Sequence, residues 1–258
     1  MSNWIMLFQN SRNSLIIYDM ATVRKIQAKL LDKFAYSEKV HRYRFKPFKR
    51  LPKFKAGQFL HLAIDPYDPS FNWPESRVFS IASSPLNPDY IDILVSVVGK
   101  FTKRMNEELK IGDNVWLKLP YGTFNFDETK YRNCVLIAGG TGISPFISFL
   151  ETAQNHLKLI YLVYGVKNSN LLIVKDLILE LQSKKSNFLF DIFIEEGIDK
   201  ELNSQRGKIN ISEIVNKSLK LNNPIFFLSG PPVMINSVEK ELLRKNVDKK
   251  DIIFDNWE

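Results

Sequence analysis

One cysteine, Cys134, and three scattered histidines, His41, His61 and His156, are all the thiol and imidazole side chains in these 258 residues. A single thiol cannot build an intramolecular disulfide framework, a four-cysteine iron–sulfur cluster or a cysteine-based zinc site, and the histidines lack metal-ligand spacing. Redox chemistry in such a chain requires a bound organic cofactor. Scarce cysteine also fits a reducing compartment, so a cytoplasmic location is expected. Long apolar runs are missing too. None approaches the roughly 18–20 residues of a membrane span, and no span is expected. The apolar run at residues 4–8 is too short for a signal peptide and has no basic region before it. Residues 1–19 read as either a loose N-terminal extension or an upstream start, because regular strand-like patterning begins at Met20.

What is present is an ordinary globular composition, 45% hydrophobic and 25% charged, which excludes wholesale disorder. The length favours two domains over one core. The net charge of +8 is unevenly placed: residues 1–126 hold 19 Lys/Arg and 11 Asp/Glu, whereas residues 127–258 hold 17 of each. Between Arg42 and Lys55, Arg42, Arg44, Lys46, Lys49, Arg50, Lys53 and Lys55 run without an acid. That segment is either a solvated edge strand guarded by lysines or a surface that steers an acidic partner. No recognition motif accompanies it, so nucleic acid is not an expected partner.

Apolar periodicity divides the chain at about residues 125–130. Before it, short alternating stretches predict strands at 22–34, 40–48, 59–65, 77–82, 90–98 and 114–120, separated by Gly, Pro and Asp turns, with one helix at 102–109. This predicts a small antiparallel β-barrel over residues 20–126. After it, continuous apolar strands at 134–138, 159–164, 188–194, 225–228 and 252–254 alternate with helices at 143–156, 170–184, 211–219 and 232–246. Residues 127–258 are therefore expected to form an α/β, Rossmann-like parallel sheet covered on both faces.

Three short segments carry chemistry. Gly139-Gly140-Thr141-Gly142-Ile143-Ser144-Pro145 follows a buried strand and opens a helix. Glycines there let backbone amides approach a phosphate, and the helix N-terminus adds free donors, although the segment is not the G-x-G-x-x-G fingerprint. In Arg77-Val78-Phe79-Ser80, the arginine can grip a phosphate with two hydrogen bonds, and successive residues show an aromatic and a hydroxyl to opposite faces. Ser229-Gly230-Pro231-Pro232 again joins a parallel strand to a helix, so its tip faces the same crevice as the first turn.

In this order, and over residues 20–258, the segments resemble the ferredoxin–NADP reductase superfamily. The resemblance implies FAD in the barrel and NADH or NADPH on the α/β sheet. It places Arg77 on the FAD pyrophosphate together with the turn Gly99-Lys100-Phe101-Thr102, Val78 and Phe79 against the flavin, and Ser80 near flavin N5. It gives Gly139, Gly140, Thr141, Gly142 and Pro145 to the nicotinamide cofactor's pyrophosphate, and Gly230 and Pro231 to the nicotinamide. Pro120-Tyr121-Gly122-Thr123-Phe124 matches the exit from the flavin barrel. Asp255 and Trp257 match a terminal acid and aromatic at the flavin face. Ser80, Ser229, Asp255 and Trp257 are thus the expected catalytic group. Phe79 stands where tyrosine is common, Ser229 where cysteine is, and Asp255 where glutamate is frequent. Glu195, after the third sheet strand, would repel a 2′-phosphate and favours NADH, unless Lys167 or Arg206 serves that phosphate instead.

The resemblance implies an NAD(P)H oxidoreductase feeding a one-electron acceptor, with an acidic ferredoxin or flavodoxin docking near Arg42–Lys55. Two alternatives stand beside it. One is the reductase component of an oxygenase or ferric or flavin reductase system; the other is an FAD-bearing electron-transfer subunit of a larger complex.

Overall fold

The computed structural model describes residues 22–126, 133–153 and 158–255. The first sheet contains β1 (Arg24–Ser37), β2 (Val40–Pro47), β3 (Phe59–Ala63), β4 (Arg77–Ser80), β5 (Ile91–Ser96) and β6 (Asn114–Tyr121), with α1 (Lys100–Glu108) between the last two strands. Its order, β4-β3-β6-β1-β2-β5, is antiparallel throughout. Alternate residues point inward: Ile26, Ala28 and Leu30 of β1 meet Tyr43, Phe45, Ile91, Ile93, Val115 and Leu117, and Phe101 and Met105 of α1 join them. Here β4 is shorter than the expected 77–82. The chain leaves β3 after Ser80 and crosses to β5, where Ile81 bridges Ile93 and Ala82 N–H donates to the Asp92 carbonyl at 2.8 Å. That crossing nearly closes the barrel.

The second sheet is β7 (Asn133–Gly139), β8 (Ile160–Asn168), β9 (Phe188–Glu196), β10 (Gln205–Arg206), β11 (Pro224–Ser229) and β12 (Ile252–Phe254). Its parallel order, β10-β9-β8-β7-β11-β12, reverses direction at β7, a topological switch point at the carboxyl ends of β7 and β11. Cys134, Leu136 and Ala138 pack on one face with α2 (Ser144–Thr152) and α3 (Lys175–Lys184). Val135 and Ile137 pack on the other with α4 (Ile211–Ser218) and α5 (Pro232–Arg244).

Sequence periodicity places the α2 start within one residue and misplaces that of α3. A 3₁₀ turn, Gly140–Ile143, precedes α2, and α3 begins only at Lys175. Leu172 and Val174 are drawn into the core, and the Tyr164 hydroxyl donates to the Leu171 carbonyl at 3.1 Å, so that β-branched stretch does not join the helix. The strand β10 has no apolar signal; it is two exposed residues paired with Phe193 and Ile194.

Barrel and parallel sheet share one core. Ala56, Ala82, Leu94 and Phe124 from the barrel side pack with Phe146, Phe149 and Phe227. The Phe126 ring stacks on Phe149 with centroids 4.0 Å apart, and Phe124 meets Phe227 edge-on at 5.6 Å. Burial of such rings is worth about 3–5 kcal/mol each when truncated to alanine, so the two units are fixed against each other. Polar links border the seam. Ser148 Oγ donates to the Ser83 carbonyl at 2.8 Å, and Ser84 N–H donates to Glu151 Oε2 at 2.9 Å. Burial pushes the Glu151 carboxyl above its ordinary range.

Candidate functional site

Three residues expected to act together meet at the seam. Ser80 Oγ, at the end of β4, donates to Asp255 Oδ2 at 3.1 Å, and Ser229 Oγ, at the end of β11, donates to the same oxygen at 3.0 Å. The serines are 4% and 1% exposed. Asp255 is placed by continuation of the β11–β12 ladder, its N–H donating to the Leu228 carbonyl at 3.0 Å. One carboxylate thus ties the barrel to the parallel sheet. Trp257, expected beside it, lies outside the described residues.

Around β4, strand alternation sets the faces. Arg77 is exposed, and its guanidinium lies 5.2 Å from the Phe101 ring centroid at the start of α1. Glu75 and the Ser76 carbonyl each accept from it at 2.8 Å. Phe79 sits 8% exposed in the barrel core. Val78 is half-buried and pairs across to His61.

The Gly99–Thr102 turn is built as a cap. Thr102 Oγ1 accepts from Val98 N–H at 3.1 Å and Gly99 N–H at 3.0 Å, and donates to the Gly99 carbonyl at 3.1 Å. Its proton is directed within the turn. Open space remains at Gly99, where an added Cβ would meet nothing within 4 Å, and the first amides of α1, including that of exposed Lys100, have no partner within the helix.

The glycines of the second turn differ in their surroundings. A Cβ on Gly142 would lie 2.5 Å from Gly230 Cα and N, and one on Gly139 would lie 2.8 Å from Pro231 Cδ and Met234 Sδ. These two glycines, with Gly230 at φ +146°, let the β7 and β11 turns pack directly on each other. Gly140 is the open one, at φ +54° with nothing within 4 Å of its Cβ position. Thr141 follows it, and Pro145 enters the first turn of α2. Near the carboxyl end of β9, Glu195 is exposed, Arg206 pairs with Ile194, and Lys167 is engaged by Glu196 at 3.6 Å.

Two residues of the basic segment are engaged within the barrel: Arg42 pairs with Asp32 at 2.7 Å, and Arg44 makes two hydrogen bonds to Asp92 at 2.8 and 2.7 Å. The sheet register sets Lys25 opposite Lys118 and Lys29 opposite Lys46 on the barrel's outer face. Like charges directly opposite destabilise a sheet. Among the described residues none of these four lysines makes an ion pair. Lys25 lies over Tyr67 at 4.6 Å, Lys29 over Phe48 at 5.9 Å and Lys118 over Tyr121 at 5.4 Å.

Two residues near the site had no sequence signal. Gln58 Nε2 donates to the Gly122 carbonyl at 3.0 Å while its Oε1 accepts from Lys55 N–H at 2.8 Å, clamping the barrel exit. Ser96 Oγ and Thr141 Oγ1 are hydrogen-bonded at 3.0 Å. Both contacts depend on tertiary placement alone.

Two family models match in tandem: the oxidoreductase FAD-binding domain over residues 27–126 and the oxidoreductase NAD-binding domain over residues 136–240. The reductase component of propane 2-monooxygenase from Rhodococcus jostii is 28% identical over 211 residues, covering 78% of this chain and 55% of that protein. The phenol 2-monooxygenase reductase component DmpP of Pseudomonas is 27% identical over 211 residues, covering 79% and 58%. The chain therefore spans little more than half the length of these relatives. In fold, it resembles the Amycolatopsis cytochrome P450 reductase GcoB, at TM-score 0.79 and 21% identity over 96% of this chain and 73% of that one. It also resembles a ferredoxin NADP+ reductase from Neisseria gonorrhoeae solved with FAD and NADP, at TM-score 0.72 and 20% identity over 89% and 97%.

Proposed function

The chain belongs to the ferredoxin–NADP reductase superfamily of flavoprotein oxidoreductases, and we propose that it carries electrons from NADH through FAD to a one-electron acceptor protein. The observation that carries this reading is the convergence of Ser80 and Ser229, from the two units, on the Asp255 carboxylate.

The residues fit the cofactors. Arg77, the open Gly99 turn and the free amides of α1 make a donor set for a pyrophosphate. The open, left-handed Gly140 and the Thr141 backbone make a second. FAD when bound supplies the conversion between hydride and single electrons, chemistry that no side chain here performs. The chain's contribution is alignment. Both serines spend their protons on Asp255, because a carboxylate only accepts, so each hydroxyl oxygen is left offering a lone pair toward the seam. That suits an N–H at a flavin or nicotinamide edge. The buried seam excludes water, and the shared Phe core fixes the distance between the two cofactor sites.

Anaerobic mixing of the yellow protein with NADH or NADPH tests the reading directly. Bleaching of the flavin band is expected, with kcat/KM at least about tenfold higher for NADH because exposed Glu195 opposes a 2′-phosphate. Glu195→Arg should move the ratio toward NADPH. Absence of bleaching with either donor would sink the reading, and a native NADPH preference would sink the role given to Glu195.

The acceptor we propose is acidic, in keeping with the unpaired Lys25, Lys29, Lys46 and Lys118, and it docks on the β1–β2–β6 face rather than along the whole Arg42–Lys55 segment. Charge reversal of Lys29 and Lys46 together should slow reduction of an acidic ferredoxin about tenfold at low ionic strength. Reduction of a neutral quinone should be unchanged. Equal ferredoxin rates in the two proteins would remove the docking role. Relatives that are reductase components of oxygenase systems favour a second reading, in which the same half-reaction serves an oxygenase component. An acceptor panel distinguishes them by which partner restores turnover.

A further inference from the structure

The hydrogen bond between Ser96 and Thr141, at 3.0 Å, joins the strand leading to one proposed cofactor turn with the other turn. Ser96 ends β5, and the three residues after it lead into α1. That path is held throughout: Val97 N–H donates to the Lys39 carbonyl at 2.7 Å, and Thr102 Oγ1 takes the N–H groups of Val98 and Gly99. Arg77 rests over Phe101 one residue further on. Thr141 occupies the middle of the 3₁₀ turn, next to the open Gly140. Its carbonyl accepts from Ser144 Oγ at 2.7 Å, and the Gly140 and Leu171 carbonyls share the single proton of the Tyr164 hydroxyl, each at 3.1 Å. Gly142 is jammed against Gly230 on the other side. A displacement of the α1 entrance can therefore reach Gly140 through Ser96, and the reverse.

We infer that Ser96 is a positioning residue whose bond to Thr141 couples the two sites, so that FAD held at Arg77 and α1 tightens nicotinamide-nucleotide binding at Gly140. The inference rests on the flavin reading above. By linkage the coupling is reciprocal: NAD+ must strengthen FAD binding by the same factor. One side-chain hydrogen bond supports a factor of about three to ten.

The test uses the full chain, with FAD removed and restored, and follows flavin fluorescence on FAD titration with and without saturating NAD+. Wild type should show the mutual tightening. Ser96→Ala and Thr141→Val should each abolish most of it and weaken NAD+ binding about three- to tenfold, and the double variant should be no worse than either single one. Thr141→Ser keeps the hydroxyl and should retain the mutual tightening that Thr141→Val loses, which separates the bond from a general packing effect. Additive losses in the double variant, or undiminished tightening in Ser96→Ala, would overturn the coupling while leaving the flavin reading intact. A wild type that takes up no FAD would overturn both.

Discussion

Replacing Gly142 by alanine should leave a yellow protein whose flavin is reduced by NADH about a hundredfold more slowly. The argument is steric. The new Cβ would lie 2.5 Å from Gly230 Cα and N and 2.6 Å from the Ser229 carbonyl carbon. All three are backbone atoms, so no side-chain rotation relieves the contact, and the β7 and β11 turns must separate by about an ångström. Misplacement on that scale costs on the order of a hundredfold where reacting groups must be aligned. The Arg77 region lies on the barrel, away from the clash, so FAD content should stay near stoichiometric. Neighbouring glycines supply internal controls. At Gly139 the opposing atoms are the Met234 thioether and the Pro231 ring, and Met234 can yield, so the loss should be smaller. At Gly140 there is no clash, only a φ of +54° that costs a β-carbon about 1–2 kcal/mol. Anaerobic stopped-flow absorbance gives the rates. A Gly142→Ala protein that bleaches as fast as wild type would show that the turns do not need their close approach.

How much of this was legible in the sequence depends on the range of the interaction. Barrel strands and parallel strands declare themselves because inward and outward residues alternate, or fail to, within a few positions. The glycine-rich turns are visible for the same reason. Their division of labour is not: whether a glycine faces open space, as Gly140 does, or another backbone, as Gly142 does, is decided by Gly230, 88 positions away. Resemblance pointed to Ser80, Ser229 and Asp255 separately, but only the β11–β12 ladder and the crossing after β4 bring them onto one oxygen. At the start of the charge run at Arg42–Lys55, Asp32 and Asp92 reach Arg42 and Arg44 from other strands. Conversely, the lysine pairs that make no ion pair among the described residues come from three strands and appear only once register is known. The Thr102 hydroxyl closes its own turn, a local bond that its position in the motif does not announce.

Removing the Asp255 side chain should damage hydride transfer more than any other single loss of a polar group at the seam. In an Asp255→Ala protein, Ser80 and Ser229 would be left 4% and 1% exposed without the acceptor that both now share. Each orphaned buried hydroxyl costs about 1–3 kcal/mol unless it turns to another partner, and turning takes its oxygen away from the seam. A drop of about a hundredfold in the flavin reduction rate is expected, with a much smaller change in NADH affinity, because Gly140 and Thr141 are untouched. Asp255→Asn separates geometry from charge. An amide oxygen at the Oδ2 position can accept from both hydroxyls, so the two units stay tied while the negative charge is gone. If alignment is what the carboxylate provides, Asp255→Asn should retain most of the rate and Asp255→Ala should not. Equal losses in the two variants would instead assign the effect to the charge itself. Wild-type rates in both would mean that the shared Phe124, Phe126, Phe149 and Phe227 core aligns barrel and sheet unaided.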